Sequence, residues 1–254
     1  KLILPILSYG SEIWGLNETL EIERVHLSFC KRLLGVKIQT QNNFIYGELG
    51  RTSLQTKQTV NVIRYWLKII QLENFKFVKI VYNLMFRQLE EKPNSNSWAK
   101  SVKHLLESLG FYDVWLFQGV GDNELFLAVF KTRLHDVFLQ NWMAAINDSP
   151  RARCYSLFAN FQLQPYLLCV NINKFRNSLC RLKVSSHRLE IETGRWHKPE
   201  PIPYNERKCH YCNNLEDEFH FVLECLLYKD IRKKYIKKYY RIRPNIPKFV
   251  ELMT

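Results

Sequence analysis

Apolar residues recur along most of this chain three or four positions apart, which is the spacing of an amphipathic α-helix. Near the start, one helical face carries Ile22, Val25, Phe29 and Leu33. Gly35 stands just beyond this face, where helices commonly end in a left-handed glycine. The pattern therefore predicts a helix that begins near Asn17 or Thr19 and closes at Gly35.

The same periodicity continues through the next two hundred residues. It predicts a short helix over 44–49, ended by Gly50, and a long one from Leu54 to about Leu89. One side of the long helix carries Val62, Tyr65, Trp66 and Ile69. Further helical patterns cover 98–109 and 125–146. No stretch alternates apolar and polar residues between hairpin signals, so the sequence predicts a mainly α fold of bundle-like helical units.

Two stretches have the composition of connectors and divide the chain into three regions. Residues 90–97 are rich in Asn and Ser with one Pro, and 197–203 contain three Pro. We therefore predict a helical region over 1–92, a helical connecting domain over 98–198, and a small C-terminal module over 204–254.

Four residues of the C-terminal module have the identity and spacing of zinc ligands. Cys209, Cys212, His220 and Cys225 form a C-x2-C-x7-H-x4-C pattern, the donor set of a closed tetrahedral structural zinc site. His220 and Cys225 would lie about 140° apart on an ideal α-helix, so we expect the helix to distort or restart between them. The alternative interpretation is a group of ordinary buried thiols beside a core histidine.

The residues after Cys225 predict an amphipathic basic helix over 228–241. Its apolar stripe consists of Tyr228, Ile231, Tyr235, Tyr239 and Ile242. Its basic side includes Lys233, Lys234, Lys237, Lys238 and Arg241, which we interpret as contacts for nucleic-acid phosphates. A solvated helix packed by its tyrosines, or one lying on a membrane surface, is the alternative. Four further candidate contacts are Arg188, Arg195, Arg207 and Lys208.

Composition adds a partner and a compartment to this description. The formal net charge of +13 and the isoelectric point near 9.4 favour a polyanionic partner, most commonly RNA or DNA. An odd number of scattered cysteines favours a reducing compartment inside the cell, nuclear or cytoplasmic. No apolar run approaches the length of a membrane span. The chain starts without Met and is expected to be a piece of a longer protein.

Catalytic signatures are missing from the sequence. It has no glycine-rich phosphate loop, no G-x-S-x-G, no H-E-x-x-H and no adjacent pair of aspartates for two-metal phosphoryl transfer. We therefore predict no catalytic residues.

Several of these stretches resemble the region downstream of the polymerase core in non-LTR (LINE-type) retrotransposon reverse transcriptases. The resemblance rests on residues 4–15, 29–35, 46–51 and 188–196 and on the cysteine and histidine spacing of 209–225, which together span nearly the whole chain. It implies that residues 1 to about 90 correspond to the end of the polymerase and its thumb helices. It also implies a connecting helical region in the middle and a zinc-binding domain that handles nucleic acid at the end.

The chain departs from that family in one informative way. Such polymerases carry a Tyr/Phe-x-Asp-Asp catalytic motif, and this sequence contains no Asp-Asp. We therefore expect an accessory region that binds RNA or DNA beside the upstream polymerase core of the same element and does not catalyse synthesis itself. The alternatives are a zinc-stabilised interaction scaffold retained by the host and a non-functional remnant of the element.

Overall fold

The chain is mainly helical, as the periodicity predicts. The computed structural model describes residues 3–17, 20–92 and 95–254, and within them no β-strand forms. No helix of this described part is long and apolar enough to cross a membrane. In chain order, the α-helices are α1 Ile3–Leu7, α2 Ser11–Trp14, α3 Leu20–Leu34, α4 Asn42–Leu49, α5 Leu54–Ile70, α6 Phe77–Glu91, α7 Trp98–Ser108, α8 Tyr112–Leu116, α9 Asn123–Asn147, α10 Tyr166–Cys169, α11 Asn173–Lys183, α12 Glu190–Thr193, α13 Lys229–Tyr235, α14 Lys238–Arg241 and α15 Ile246–Met253.

The chain forms two compact units, each built from two separate stretches. The first unit contains residues 1–26 and 52–142, and the second contains 27–51 and 143–254. The predicted boundary at 90–97 falls inside the first unit, because Leu89 and Ala99 on its two sides share one buried core. Pro93 and Asn94 of that stretch lie outside the described residues. The predicted connecting domain, 98–198, contributes to both units.

The first unit buries an aromatic core between helices that follow each other in sequence. The long helix predicted over 54–89 is divided at 71–76 into α5 and α6, which lets residues of both helices share one core. Trp66 is fully buried, and its Nε1 donates a hydrogen bond of 3.0 Å to the Tyr82 hydroxyl across the two helices. The predicted side of α5 is confirmed, since Val62 and Ile69 are buried with Trp66.

Helix α3 ends where the sequence predicts, but it buries a different face. Gly35 adopts a left-handed conformation with φ of +66°, and a Cβ there would lie 2.4 Å from the Asn177 side chain. Of the two predicted starts, Asn17 precedes the helix and Thr19 lies outside the described residues.

The predicted apolar stripe of α3 is mostly exposed, with Val25, Phe29 and Leu33 at 57%, 45% and 60%. The buried apolar residues of α3 are instead Leu27, Cys30 and Leu34. Apolar residues surround most of this helix, so periodicity alone does not select the buried side.

A buried ion pair joins α4 to α11 in the second unit. The Lys183 ammonium lies 3.9 Å from the Glu48 carboxylate, and both side chains are 1% exposed. Lys183 also donates to the Gln164 side chain at 2.9 Å, and the Tyr166 hydroxyl donates to Glu48 at 2.5 Å. Burial raises the pKa of Glu48 and lowers that of Lys183. The pair and its hydrogen bonds fix the end of α11, after which the chain runs into the segment that supports the candidate site.

Candidate metal centre

The four predicted zinc ligands come together in the structure. Their ligand atoms all lie within 4.8 Å of one another. The Cys225 sulfur is 3.9 Å from that of Cys209 and 3.7 Å from that of Cys212. Thiolates bound tetrahedrally to one zinc ion at about 2.3 Å are roughly 3.8 Å apart, so these separations fit a shared ion. The cluster is therefore a candidate metal centre.

A tight turn supplies the first two cysteines. The Cys209 N–H donates to the Asn214 carbonyl and the Asn213 N–H donates to the Cys209 carbonyl, each at 2.8 Å. Asn213 has a φ of +56°, a left-handed conformation that asparagine tolerates better than most residues. An antiparallel bridge between Lys208 and Leu215 closes the base of the turn. This hydrogen bonding shapes the turn that carries both Cys209 and Cys212.

A π-helix supplies the other two ligands. Residues His220–Glu224 form this π-helix, and the Cys225 N–H donates to the His220 carbonyl at 2.7 Å, five residues back. The wider turn brings His220 and Cys225 to the same side, which confirms the expected distortion. Asp217 stabilises the start of this segment, because its carboxylate accepts from the His220 N–H at 2.7 Å.

The electrostatics of the cluster favour a bound cation. Both ring nitrogens of His220 are buried and have no hydrogen-bond partner among the described residues, although Nδ1 lies 3.7 Å from the Glu224 carboxylate. Unsatisfied buried nitrogens are costly, and a carboxylate behind an imidazole is a common arrangement around protein-bound metals. The Leu226 N–H donates to the Cys212 sulfur at 3.3 Å and lowers the pKa of that thiol. Burial and then the neighbouring thiols raise the pKa of Cys225 to about 11, a cost that a divalent ion would offset.

Arg232 supports the cluster from helix α13, a role that the sequence did not reveal. This side chain is buried, and its guanidinium donates to the carbonyls of Phe221 and Cys225. The Phe221 carbonyl lies in the π-helix and the Cys225 carbonyl just after it. Carbonyl oxygens at the end of a helix have no partner within the helix, so the Arg232 guanidinium satisfies them. In the sequence Arg232 is hidden among five other basic residues of 229–238. The available signal was its position four residues after Tyr228, next to the apolar stripe rather than opposite it.

The predicted basic helix over 228–241 is broken, and most of its apolar stripe is exposed. Helix α13 ends at Tyr235, and Ile236 adopts an extended conformation before α14 begins. Along the predicted stripe, the exposed side chains are Ile231, Tyr235, Tyr239 and Ile242. The tail is anchored instead by α15, whose Phe249 is fully buried with its ring 5.7 Å from that of Phe219. The prediction of one continuous helix over 228–241 is therefore wrong, and Tyr235 and Tyr239 do not pack as the alternative required.

The candidate phosphate contacts separate into accessible and inaccessible residues. Those with exposed side chains are Arg188, Lys208, Lys233, Lys234, Lys237 and Lys238. Arg241 is half-buried and donates to the Ile236 carbonyl at 2.8 Å. Arg195 is also half-buried, with its Nε 3.1 Å from the Glu192 carboxylate, and burial lowers its pKa. The most accessible candidates are thus the lysines that follow the cluster.

Arg207 is a correction to the predicted set of phosphate contacts. It is buried, and its guanidinium donates to the carbonyls of Ile202 at 2.9 Å and Ile191 at 3.0 Å. The chain makes room for it at Gly194, where a Cβ would lie 2.8 Å from the Arg207 side chain. Arg207 therefore ties the cysteine turn to residues 191–202 and, at 8% exposure, offers little surface to a phosphate.

Comparisons with protein-family models, with curated proteins and with solved structures find no match to this chain. The chemistry that bears on function is therefore that of the candidate metal centre and of the charged residues around it.

Proposed function

We propose that this chain is a zinc-stabilised nucleic-acid-binding region of a non-LTR retrotransposon reverse transcriptase. It would hold RNA or DNA beside the polymerase core of the same element and would not catalyse synthesis itself. The single observation that carries the proposal is the convergence of three thiols and one imidazole within 4.8 Å, with exposed lysines following directly in sequence.

The donor set supports zinc and a structural role. Cys209, Cys212, His220 and Cys225 would hold the ion, and three sulfurs with one nitrogen are a combination that zinc accepts readily. Four protein ligands leave no open position for water or substrate, so the ion would stabilise the fold of the module. Two of the three cysteines and the histidine are buried, as suits a closed site.

The position of the lysines supports a polyanionic partner. Arg232 bonds α13 to the backbone of the cluster, so Lys233 and Lys234 are displayed at a fixed place beside the metal centre. Lys237 and Lys238 follow in the short extended segment and the start of α14. Only Lys233 has an acidic neighbour within ion-pair distance among the described residues, the exposed Asp230 at 3.9 Å. The uncompensated charge of this surface would attract phosphates whatever their sequence.

Titration of labelled RNA and DNA with the zinc-loaded chain at several salt concentrations tests the proposal. We expect binding that falls steeply as salt rises, because each phosphate that is neutralised releases condensed counterions. A host-retained scaffold for protein interactions would bind nucleic acid weakly, or bind it with little dependence on salt. Either of those results would reject the proposed function.

A further inference from the structure

Trp196 is an exposed aromatic side chain that the structure holds in a fixed orientation. It is 64% exposed, whereas the other five tryptophans are buried or half-buried: Trp14, Trp66, Trp98, Trp115 and Trp142. Its indole Nε1 donates to the Glu192 carboxylate at 3.3 Å, and the Arg151 guanidinium lies 5.7 Å from the ring centroid. The indole is thus oriented on one side by two partners while most of its surface stays open.

The surroundings of Trp196 carry excess positive charge. Glu192 is buried and accepts from Arg151 at 2.5 Å, while the Arg195 Nε lies 3.1 Å from its other oxygen. One carboxylate therefore serves two guanidinium groups, and one positive charge is left over. The Nε atom of Arg151 is buried and lacks a hydrogen-bond partner among the described residues.

A small cavity beside the indole contains an unsatisfied hydroxyl. The cavity measures about 270 Å³ and is lined by Trp196, Arg151, Lys37 and Thr40, among others. Thr40 is only 3% exposed, and its hydroxyl has no hydrogen-bond partner among the residues that the structure describes. A buried hydroxyl without a partner is costly, and a water molecule or a polar group of a ligand in this cavity would satisfy it.

A second, larger cavity continues from Lys37. It measures about 860 Å³, shares Lys37 with the first cavity, and is lined by Arg181 and Arg188 as well. Lys37 donates to the His187 carbonyl at 2.8 Å and Arg181 to the Gly35 carbonyl at 2.5 Å. Neither forms an ion pair with a carboxylate in the described part of the chain, so both charges remain available to an anion.

We propose that this face of the second unit is a binding site for single-stranded nucleic acid. One base stacks on the Trp196 indole, and neighbouring phosphates lie near Lys37 and Arg188. Aromatic platforms select single strands because the bases of a duplex are already stacked on each other. The inference rests on the proposed function and deepens it, since it names the strand form and a contact surface separate from the lysines after the cluster.

The test uses the zinc-loaded full chain with oligo(dT) and a duplex of the same length. Binding is measured by anisotropy of labelled strands, and stacking is measured by tryptophan fluorescence. We expect oligo(dT) to quench the fluorescence, because the most exposed tryptophan is the one that stacks. Trp196→Ala should weaken oligo(dT) binding about 10-fold and leave duplex binding nearly unchanged.

Matched variants separate stacking from folding and from general charge. Trp196→Phe retains an aromatic ring, so it should keep most of the affinity while the quenching disappears. Phe117→Ala removes an aromatic side chain that is 80% exposed in the first unit and should change neither readout. Lys37→Gln and Arg188→Gln should each flatten the salt dependence for oligo(dT) by about 0.7, whereas Lys174→Gln, exposed on α11 outside both cavities, should not.

The two proposals fail in different ways. If the parent chain binds nucleic acid and Trp196→Ala binds oligo(dT) as tightly as the parent, the stacking site is wrong and the proposed function stands. If the parent binds neither oligo(dT) nor duplex at low salt, both are overturned.

Discussion

Two buried arginines, Arg207 and Arg232, hold the candidate metal centre from opposite ends of the module. Each donates to main-chain carbonyls: Arg207 to residues before the cysteine turn, and Arg232 to the π-helix and Cys225. The sequence predicted Arg207 as a surface contact and did not single out Arg232. Composition shows that basic residues outnumber acidic ones, but whether a given guanidinium meets solvent or carbonyl oxygens depends on packing between segments distant in sequence.

Removal of the Arg232 guanidinium should destabilise the module. Arg232→Ala leaves the carbonyls of Phe221 and Cys225 without these donors, so we expect a loss of about 1–3 kcal/mol in unfolding free energy. Urea denaturation of the zinc-loaded protein measures it. Lys233→Ala, one position along on an exposed side chain, should change the free energy by less than about 0.5 kcal/mol. Equal effects of the two substitutions would contradict the assigned role of Arg232.

Aromatic residues of the tail should differ sharply in their contribution to stability. Tyr235 is 72% exposed and Phe249 is fully buried. Phe249→Ala should therefore cost about 3–5 kcal/mol, and Tyr235→Ala should cost less than about 0.5 kcal/mol. Thermal denaturation of the two variants compares these losses of stability. A larger loss in Tyr235→Ala than in Phe249→Ala would contradict the exposed position of Tyr235 and support a helix packed by its tyrosines.

Among the structural elements, the departure from a regular α-helix between His220 and Cys225 was predictable and the end of the tail was not. The separation of His220 and Cys225 could not be met by a regular α-helix, so coordination chemistry required a local distortion. Nothing in the coordination of a metal ion requires the break in the helix at Ile236. Periodicity marked an apolar stripe after Tyr228, but the tail is anchored by Arg232 and by Phe249 of α15. The predicted stripe of α3 is exposed for the same reason: a hydrophobic pattern does not specify which face of a helix meets a packing partner.

Neutralising the exposed lysines of residues 233–238 tests whether this part of the tail binds nucleic acid. The variant Lys233→Gln, Lys234→Gln, Lys237→Gln and Lys238→Gln should weaken RNA and DNA binding alike. It should also flatten the salt dependence by roughly 0.7 to 0.9 for each phosphate that a lysine no longer neutralises. Helical content and bound zinc should stay unchanged, since these four side chains are exposed. If this variant binds with the affinity and salt dependence of the parent, the lysines are not the binding surface, and the face around Trp196 becomes the better candidate.

Across the whole molecule, the helical class and the convergence of the four candidate ligands were predictable, and the grouping of the chain was not. Local patterns suggested three successive regions, 1–92, 98–198 and 204–254. The second compact unit instead combines residues 27–51 with 143–254, and the buried ion pair of Glu48 and Lys183 joins the two stretches. Pairing between residues more than a hundred positions apart leaves no periodic trace in a single sequence. The ligand cluster was predictable because its four members lie within seventeen residues of one another.

Zinc should be required by one part of the molecule only. We expect one zinc ion per chain, and we expect a chelator or His220→Ala to unfold the segment after about Pro203, because metal binding supplies much of the folding free energy of such modules. The first unit should remain helical, since its aromatic core contains no residue of the cluster. Metal analysis, circular dichroism and limited proteolysis measure these effects. Protein purified without chelator that contains no zinc would contradict the assignment.

Because of the π-helix between His220 and Cys225, the candidate metal centre should tolerate the loss of one residue there better than the gain of one. Deleting Glu224 would shorten the separation to four residues, and an ordinary α-helix would then place both ligands within about 40° of each other. Inserting one alanine after Glu224 would lengthen it to six and direct the cysteine about 120° away from the histidine. Homologous sequences that lose one residue here could keep the ion, whereas those that gain one could not. Zinc content of these two length variants would measure the difference.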